Sequence, residues 1–302
     1  MSAGHDILVI GGNGQVGAAL LESLEKAGRP VRASTRSGEL PDGRPCARAD
    51  LAESGSVAAL LASLRPAIVI NATAHTAVDR AESEPELAHR INAEAVAELG
   101  EAAKRIGARV VHYSTDYVFP GDARRPYRED DATGPISAYG RSKLAGEQAL
   151  AASGADALTL RLAWVYAASG HNFLRTMLRV GAEREHLRVV ADQIGAPTPA
   201  HWIADSTLRA IDAGARGLYH LAPQGQTSWH DYAEAIFEDA VRRGLLARAP
   251  RVEAIASSEH PTPAKRPAWS VLDSGKLERD TGVRLPDWRI GLDEVLEQLA
   301  VR

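Results

Sequence analysis

Short β-rich runs alternate along this chain with longer alanine-rich segments of helical period, the pattern of βαβ units on a parallel sheet. A glycine-rich turn follows the first run, and after about residue 167 the elements shorten and prolines multiply. These observations predict an α/β fold, a doubly wound parallel sheet with a smaller C-terminal lobe. Residues 1–166 would carry the sheet, completed by segments near 200–222, and residues 167–302 would form most of the lobe.

Taken in order, strands are expected at 7–10, 31–34, 47–49, 67–71, 110–114 and 158–165. Helices are expected between them at 14–27, 56–64, 84–106 and 138–153. Pro66 and Gly107 stand just ahead of strands, where a helix should already have stopped. The unbroken apolar character of 68–70 and 110–111 suits strands covered on both faces. Past a loop at 167–170, a helix at 173–184 and a strand at 187–190 are expected. Gly195-Ala196-Pro197-Thr198-Pro199 reads as a rigid turn. A helix at 203–213 and a strand at 217–221 would return to the large sheet.

With 302 residues, 45% of them hydrophobic, the chain can bury a full core. A net charge of -4 and a pI near 6.2 speak against a nucleic-acid partner. No run has the apolar length of a membrane span, and the N-terminal residues pass straight into a strand without the pattern of a signal peptide. Cys46 is the single cysteine, and the ten histidines show no HExxH or paired ligand spacing. The expectation is a cytoplasmic protein without membrane contact, cysteine-based metal site or metal-centred mechanism.

Gly11-Gly12-Asn13-Gly14-Gln15-Val16-Gly17 lies between the first strand and the first helix. There, glycine permits a tight turn, close approach to a pyrophosphate and packing of helix on strand. Read in that context, it marks a Rossmann-type site for a nicotinamide dinucleotide, with Gly11, Gly14, Gln15, Val16 and Gly17 at the phosphates. An acid after the second strand would favour NADH by holding the ribose 2′-hydroxyl. Here no carboxylate occurs until Glu39, and Arg36, with Ser34 or Thr35, could hold a 2′-phosphate. NADPH is therefore the expected cofactor, with NADH as a second one it could accept. Asp50 and Leu51 would lie near the adenine, and Asn71, Ala72, Thr73 and Ala74 would flank the cofactor ribose.

Tyr139 and Lys143 are four residues apart, so on a helix they share a face. Free tyrosine, with a pKa of about 10, exchanges its proton poorly near neutrality. A neighbouring ammonium would favour phenolate and lower that value. Tyr139 could then give a proton to a carbonyl oxygen while hydride arrives at carbon, with Lys143 also holding the nicotinamide ribose. Thr115, in Ser114-Thr115-Asp116 after the fifth strand, could donate a hydrogen bond to the same oxygen. A Tyr/Lys pair of this spacing is common on solvated helices. Its order behind the glycine turn and Ser-Thr-Asp is what points to chemistry.

More specific patterns surround these residues: Asn71-Ala72-Thr73-Ala74-His75-Thr76-Ala77-Val78-Asp79, Ser114-Thr115-Asp116-Tyr117-Val118-Phe119, and Leu162-Ala163-Trp164-Val165-Tyr166. Beyond them come Asp192-Gln193-Ile194-Gly195-Ala196-Pro197-Thr198, Thr227-Ser228-Trp229, and Pro261-Thr262-Pro263-Ala264-Lys265-Arg266-Pro267. Over nearly its whole length the chain resembles the extended short-chain dehydrogenases/reductases, and within them the dTDP-4-dehydrorhamnose reductase family. The resemblance implies NADPH-dependent reduction of the 4-keto group of a dTDP-sugar, dTDP-4-dehydro-L-rhamnose, to dTDP-L-rhamnose. It gives Thr115, Tyr139 and Lys143 the roles above. It puts Gly14, Gln15, Val16, Asp50, Leu51, Ala74, His75 and Thr76 at the cofactor, and Thr76, Val78, Thr115, Asp116 and Trp164 at the sugar or nucleotide. Trp164 offers either a flat apolar wall or a core tryptophan, and Arg266 either a diphosphate partner or a loop ion pair. Some relatives form a magnesium-bridged dimer through a glutamate on the first helix. Ala19 stands there in this chain, so a monomer or a homodimer without that bridge is expected.

Three rival readings are open at this stage. One is a reductase for another nucleotide-linked 4-ketosugar, with the same machinery and a different sugar face. Another is a non-catalytic NADP-binding regulatory subunit, like that of methionine adenosyltransferase; the presence of Thr115, Asp116, Tyr139 and Lys143 argues against it. A 4,6-dehydratase would carry Thr-Asp-Glu where this chain has Thr115-Asp116-Tyr117.

Overall fold

Four apolar residues in succession leave β1 (Ile7–Ile10) without a polar face, and it is buried on both sides. Around it, β2 (Val31–Thr35), β3 (Ala47–Arg48), β4 (Ile68–Asn71), β5 (Arg109–Thr115) and β6 (Ala157–Leu162) form the sheet of this computed structural model, which describes residues 6–301. Helices α1 (Gln15–Lys26), α2 (Ser56–Leu64), α3 (Val78–Ser83), α4 (Pro85–His89), α5 (Ala95–Ile106) and α6 (Ala138–Ser153) lie between them. The remaining chain gives β7 (Val165–Tyr166), α7 (Phe173–Glu183), β8 (His186–Val190), β9 (Ile194–Gly195), β10 (Thr198–Pro199), α8 (Ala200–Asp212) and β11 (Gly217–His220). It ends with β12 (Thr227–Ser228), α9 (Trp229–Arg242), β13 (Arg251–Ile255), α10 (Gly275–Thr281) and α11 (Trp288–Ala300).

The main sheet has seven parallel strands in the order β11-β6-β5-β4-β1-β2-β3. The order reverses at β1, and ligand crevices of doubly wound sheets open at such a switch point, beyond the carboxyl ends of the strands. Leu20 and Leu24 of α1 and Ile203 and Ile211 of α8 cover one face; Val57 and Leu61 of α2 and Val96 and Leu99 of α5 cover the other. Each such buried aliphatic contributes about 1.5–3 kcal/mol. The 200–222 segment returns to the sheet, as α8 against α1 and β11 beside β6.

The structure departs from the expected elements in two informative places. The strand expected at 158–165 breaks after Leu162, because Trp164 takes φ +46°, a left-handed conformation that a strand cannot hold. The helix expected at 84–106 is interrupted by a π turn at Arg90–Glu94. That extra residue turns Asn92 inward, where its amide bonds His75 O at 3.1 Å and Ser142 Oγ at 2.9 Å. In the lobe, α9 and α11 pack through Tyr232, Ile236, Trp288, Leu292 and Val295, and β8 pairs in parallel with β13.

Helix α6 starts cleanly: Ser137 Oγ accepts from Gly140 N–H at 3.1 Å. It is anchored to β6 by a buried ion pair in which Arg161 donates to both carboxylate oxygens of Glu147, at 2.9 and 2.7 Å. Arg161 also lies over the Phe119 ring. Glu147→Ala would leave the guanidinium buried without its counter-charge. A loss of about 3–5 kcal/mol is expected by urea denaturation, and an unchanged midpoint would show the pair to be dispensable.

Candidate active site

A cleft of about 640 Å³ opens at the carboxyl ends of the central strands. Its floor begins with the glycine turn. Gly11, at φ +86°, occupies a conformation that excludes most side chains, and its carbonyl accepts from Gly14 N–H at 3.0 Å. A Cβ on Gly17 would fall 2.0 Å from that carbonyl, so α1 can approach β1 only with glycine there. Gly17 thus shapes the turn from behind, while Gly11, Gly14, Gln15 and Val16 line the cleft. No side chain caps α1, which leaves its first amides available to an anion. Gln15 is held across the cleft, its Oε1 accepting from Asn172 Nδ2 at 2.7 Å.

Ala72, Ala74 and Thr76 line the next part of the wall, and Val78 follows. His75 points away from it; its backbone N–H donates to Asn92 Oδ1 at 2.8 Å, and its ring is 3.8 Å from Glu84. Arg36 is exposed just past β2 and does not line this cleft. Thr35 Oγ1 accepts from the Gly38 and Glu39 amides, which sets the loop that carries Arg36. Asp50 and Leu51 are also outside the lining; Asp50 caps the turn at Ala52 N–H and Leu51 is buried. The structure therefore gathers the pyrophosphate and ribose candidates into one cleft and leaves the adenosine candidates beyond it.

Thr115, at the end of β5, meets Tyr139 and Lys143 of α6 in this cleft, and all three are buried. Thr115 Oγ1 donates to Asp116 Oδ1 at 2.8 Å, while Asp116 Oδ2 is buried without a partner. Burial raises the Asp116 carboxyl to about 6, against opposing hydrogen bonds from Thr115 and Ser270. Lys143 Nζ donates to the Tyr113 carbonyl at 2.6 Å and stands 3.4 Å from His112 Nε2. Burial lowers this amine to about 8, opposed by the Glu147 charge. The sequence suggests a phenol lowered by the adjacent ammonium. Instead, burial raises the Tyr139 phenol above its ordinary range, a Thr115 hydrogen bond opposes the shift, and Asp116 and Tyr117 reinforce it. A buried phenol pays more for charge than this lysine returns.

Trp164 forms a wall, stacked on Trp229 with ring centroids 3.5 Å apart, and Phe173 leans on Trp229 beside it. Arg266 reaches the cleft with its guanidinium 2.7 Å from Asp79 and 3.3 Å from the Tyr117 hydroxyl. Trp229, Phe173, His171 and Ser114 also line the space and are absent from the sequence-derived set. Trp229 sits within the recognised Thr227-Ser228-Trp229 pattern, but only the fold brings it against a tryptophan 65 positions earlier. Outside the cleft, His230, Asp231 and Glu234 of α9 gather their ligand atoms within 4.8 Å, a grouping that a search for HExxH spacing does not reveal. Among the described residues no helix is long and apolar enough to cross a membrane.

A glycine turn feeding a helix, with a threonine, tyrosine and lysine grouped in the crevice at its mouth, defines a nicotinamide-dependent reductase of the extended short-chain class. The family model described as RmlD substrate binding domain matches residues 5–301. The chain is 47% identical to the dTDP-4-dehydrorhamnose reductase of Burkholderia thailandensis, over 94% of this chain and 95% of that protein. It is 44% identical to that of Escherichia coli K12, over 97% and 98%. A dTDP-4-dehydrorhamnose reductase from Bacillus anthracis, solved in complex with NADP, matches with a TM-score of 0.89 at 32% identity, covering 97% of this chain and 99% of that one. The chain belongs to the dTDP-4-dehydrorhamnose reductase family and is an NAD(P)H-dependent oxidoreductase.

The raised Asp116 carboxyl has a consequence for stability. Its unfolded form loses a proton near 3.8 and its folded form near 6, so between these values the folded chain binds more protons and stability falls as pH rises. Asp116→Asn removes the penalty. Its stability relative to the parent should rise between pH 4 and pH 7 by on the order of 2 kcal/mol. Denaturation curves at the two pH values check this, and a pH-independent difference would contradict it.

Proposed function

We propose that this protein uses NADPH to reduce the 4-keto group of dTDP-4-dehydro-L-rhamnose, giving dTDP-L-rhamnose. The observation that carries the reading is the meeting of Thr115, Tyr139 and Lys143 in the same cleft onto which the glycine turn opens. The residues suit a dinucleotide: free amides at the start of α1, the Gly11 turn, and a buried Ser114 hydroxyl with no protein partner on the cleft wall. The relatives' names supply the sugar nucleotide, and the NADP-bound relative supports the cofactor.

Bound NADPH would supply the hydride. The chain's own residues do the rest. Gly11, Gly14, Gln15 and Val16 would hold the pyrophosphate, and Ala72, Ala74 and Thr76 would border the ribose, with Lys143 on its hydroxyls. Arg36 would hold the 2′-phosphate at the far end, with Asp50 and Leu51 near the adenine and His75 supporting the wall from behind. Tyr139, kept protonated by its burial, donates its proton to the keto oxygen, and Thr115 donates a hydrogen bond to the same atom. Thr115 has one hydroxyl proton, so it must turn from Asp116 to do this, which leaves Asp116 free to accept from a sugar hydroxyl. Trp164 and Val78 would form the apolar wall for the sugar, and Arg266, held by Asp79, would meet the diphosphate. A cytoplasmic location and a monomer or homodimer without a metal bridge complete the proposal.

Purified protein should oxidise NADPH when dTDP-4-dehydro-L-rhamnose is added. Tyr139→Phe should lower kcat by about 10²–10⁴-fold with NADPH affinity, read by fluorescence titration, nearly retained. Turnover surviving in that variant would remove Tyr139 as the acid. Arg36→Ala should raise KM for NADPH and leave KM for NADH unchanged; equal effects on both would remove Arg36 from the 2′-phosphate.

A further inference from the structure

The edge of the sheet beyond the cleft carries a second cation beside Arg36. Strand β3 is the last strand on that side, and its parallel register sets Arg48 across from Thr35, one residue before Arg36. The Arg48 side chain runs to the loop after β2, where its Nε–H donates to the Arg36 carbonyl at 3.2 Å. Its Nη2 donates to Glu53 at 3.0 Å. Glu53 belongs to the turn after β3, where its own N–H donates to the Asp50 carbonyl at 3.1 Å. Arg48 therefore bridges the two segments proposed around the adenosine, one carrying Arg36 and the other Asp50 and Leu51. The bend between them is tight. Thr35 Oγ1 accepts from the Gly38 and Glu39 amides, and a Cβ on Gly38, at φ +81°, would fall 3.6 Å from Cβ of Arg48.

A guanidinium has five N–H groups, and these bonds occupy Nε and one hydrogen of Nη2. Among the described residues Nη1 makes no hydrogen bond, and the side chain is 60% open to solvent. The other arginines of this corner are turned elsewhere. Arg32 faces Asp6 at the amino ends of the strands, and Arg44 is held by Asp42 and by Glu25 of α1.

We propose that Arg48 is a second arginine of the 2′-phosphate site, and that Arg36 and Arg48 together set the preference for NADPH over NADH. The assignment rests on the reading of NADPH as the cofactor. A phosphate monoester carries close to two negative charges near neutrality, more than one exposed guanidinium neutralises, whereas a ribose 2′-hydroxyl carries none. The planar fork of arginine suits phosphate oxygens. Because Arg48 is already tied to the backbone of Arg36, its charge is held in place before the cofactor arrives, and less side-chain freedom is lost on binding. Glu53 offsets part of that charge, but the pair is exposed enough for a phosphate to share the guanidinium with it.

The bond to the Arg36 carbonyl also fits a residue that braces the loop and does nothing more. The two roles are separable, because glutamine carries its amide nitrogen at the same place along the side chain as arginine carries Nε. Arg48→Gln keeps a donor for the carbonyl and removes the charge, while Arg48→Ala removes both. Titration calorimetry of the full-length protein with 2′,5′-ADP and with 5′-AMP isolates the 2′-phosphate, without substrate or turnover. The parent should bind 2′,5′-ADP more tightly. Both variants should weaken 2′,5′-ADP by about tenfold, the low end for a charge-assisted hydrogen bond, and leave 5′-AMP unchanged. Parent-like binding of 2′,5′-ADP by Arg48→Gln, with loss in Arg48→Ala, would make Arg48 a brace and overturn the proposal. Equal weakening of both ligands would overturn it too. In either case a parent that still prefers 2′,5′-ADP leaves the NADPH reading standing, whereas a parent that binds the two ligands equally removes that reading and this one together.

Discussion

The chemistry of the cleft depends on how closely α6 can approach the backbone beneath it. A Cβ on Gly146 would fall 2.0 Å from the Asn92 carbonyl, and one on Gly140 would fall 2.3 Å from the Tyr117 carbonyl. The helix therefore rests backbone against backbone at two levels, on the π turn below and on the turn after β5 above. Lys143 lies between these contacts and Tyr139 immediately precedes the first, so their height relative to Thr115 is set by main chain. Side-chain packing alone would allow larger adjustments, whereas carbonyl-to-helix contact allows almost none. Ser142 adds a lateral fix, donating to Tyr139 O at 2.8 Å and receiving from Asn92 Nδ2 at 2.9 Å. The buried Glu147–Arg161 pair then binds the next turn of the helix to β6.

This arrangement explains what could be read in the sequence and what could not. The parallel sheet, the glycine turn and the shared face of Tyr139 and Lys143 follow from local periodicity and spacing, and these local rules agree with the fold. Helix 138–153 was legible to the residue, because Ser137 is a good cap and Gly154 a good stop. The π turn was not legible. Its one-residue slip is favoured by the bonds Asn92 makes to His75 and Ser142, both distant in sequence. The break at Trp164 has the same origin. Tertiary stacking on Trp229 and the close fit against Gly195 hold a bulky residue at positive φ, at a cost of about 1–3 kcal/mol that no local preference would reveal. Helices α3, α9, α10 and α11 were not among the elements expected from the sequence. Of these, α9 and α11 bury apolar stripes in the lobe, through residues such as Tyr232, Ile236, Trp288, Leu292 and Val295.

The protonation states follow the same division. Residue types and spacing suggest a lysine that ionises a tyrosine. Depth of burial reverses the emphasis, since desolvation acts on both groups and disfavours charge on each. The buried state is a phenol beside an amine that gives up charge easily, the pairing a reductase needs before the substrate arrives. A dehydrogenase working in the opposite direction would need the phenolate first.

The two halves of the molecule meet at the cleft through few but directed contacts. Asn172, which caps α7, also donates to Gln15 of the glycine turn, so the first helix of the lobe and the cofactor loop share one amide. Arg266, from the loop before α10, is held by Asp79 of α3 on the opposite wall. Trp229 of α9 supports Trp164 at the end of β6. Each link includes a residue proposed for cofactor or sugar. A ligand that displaced Gln15 or Arg266 would therefore act on both walls.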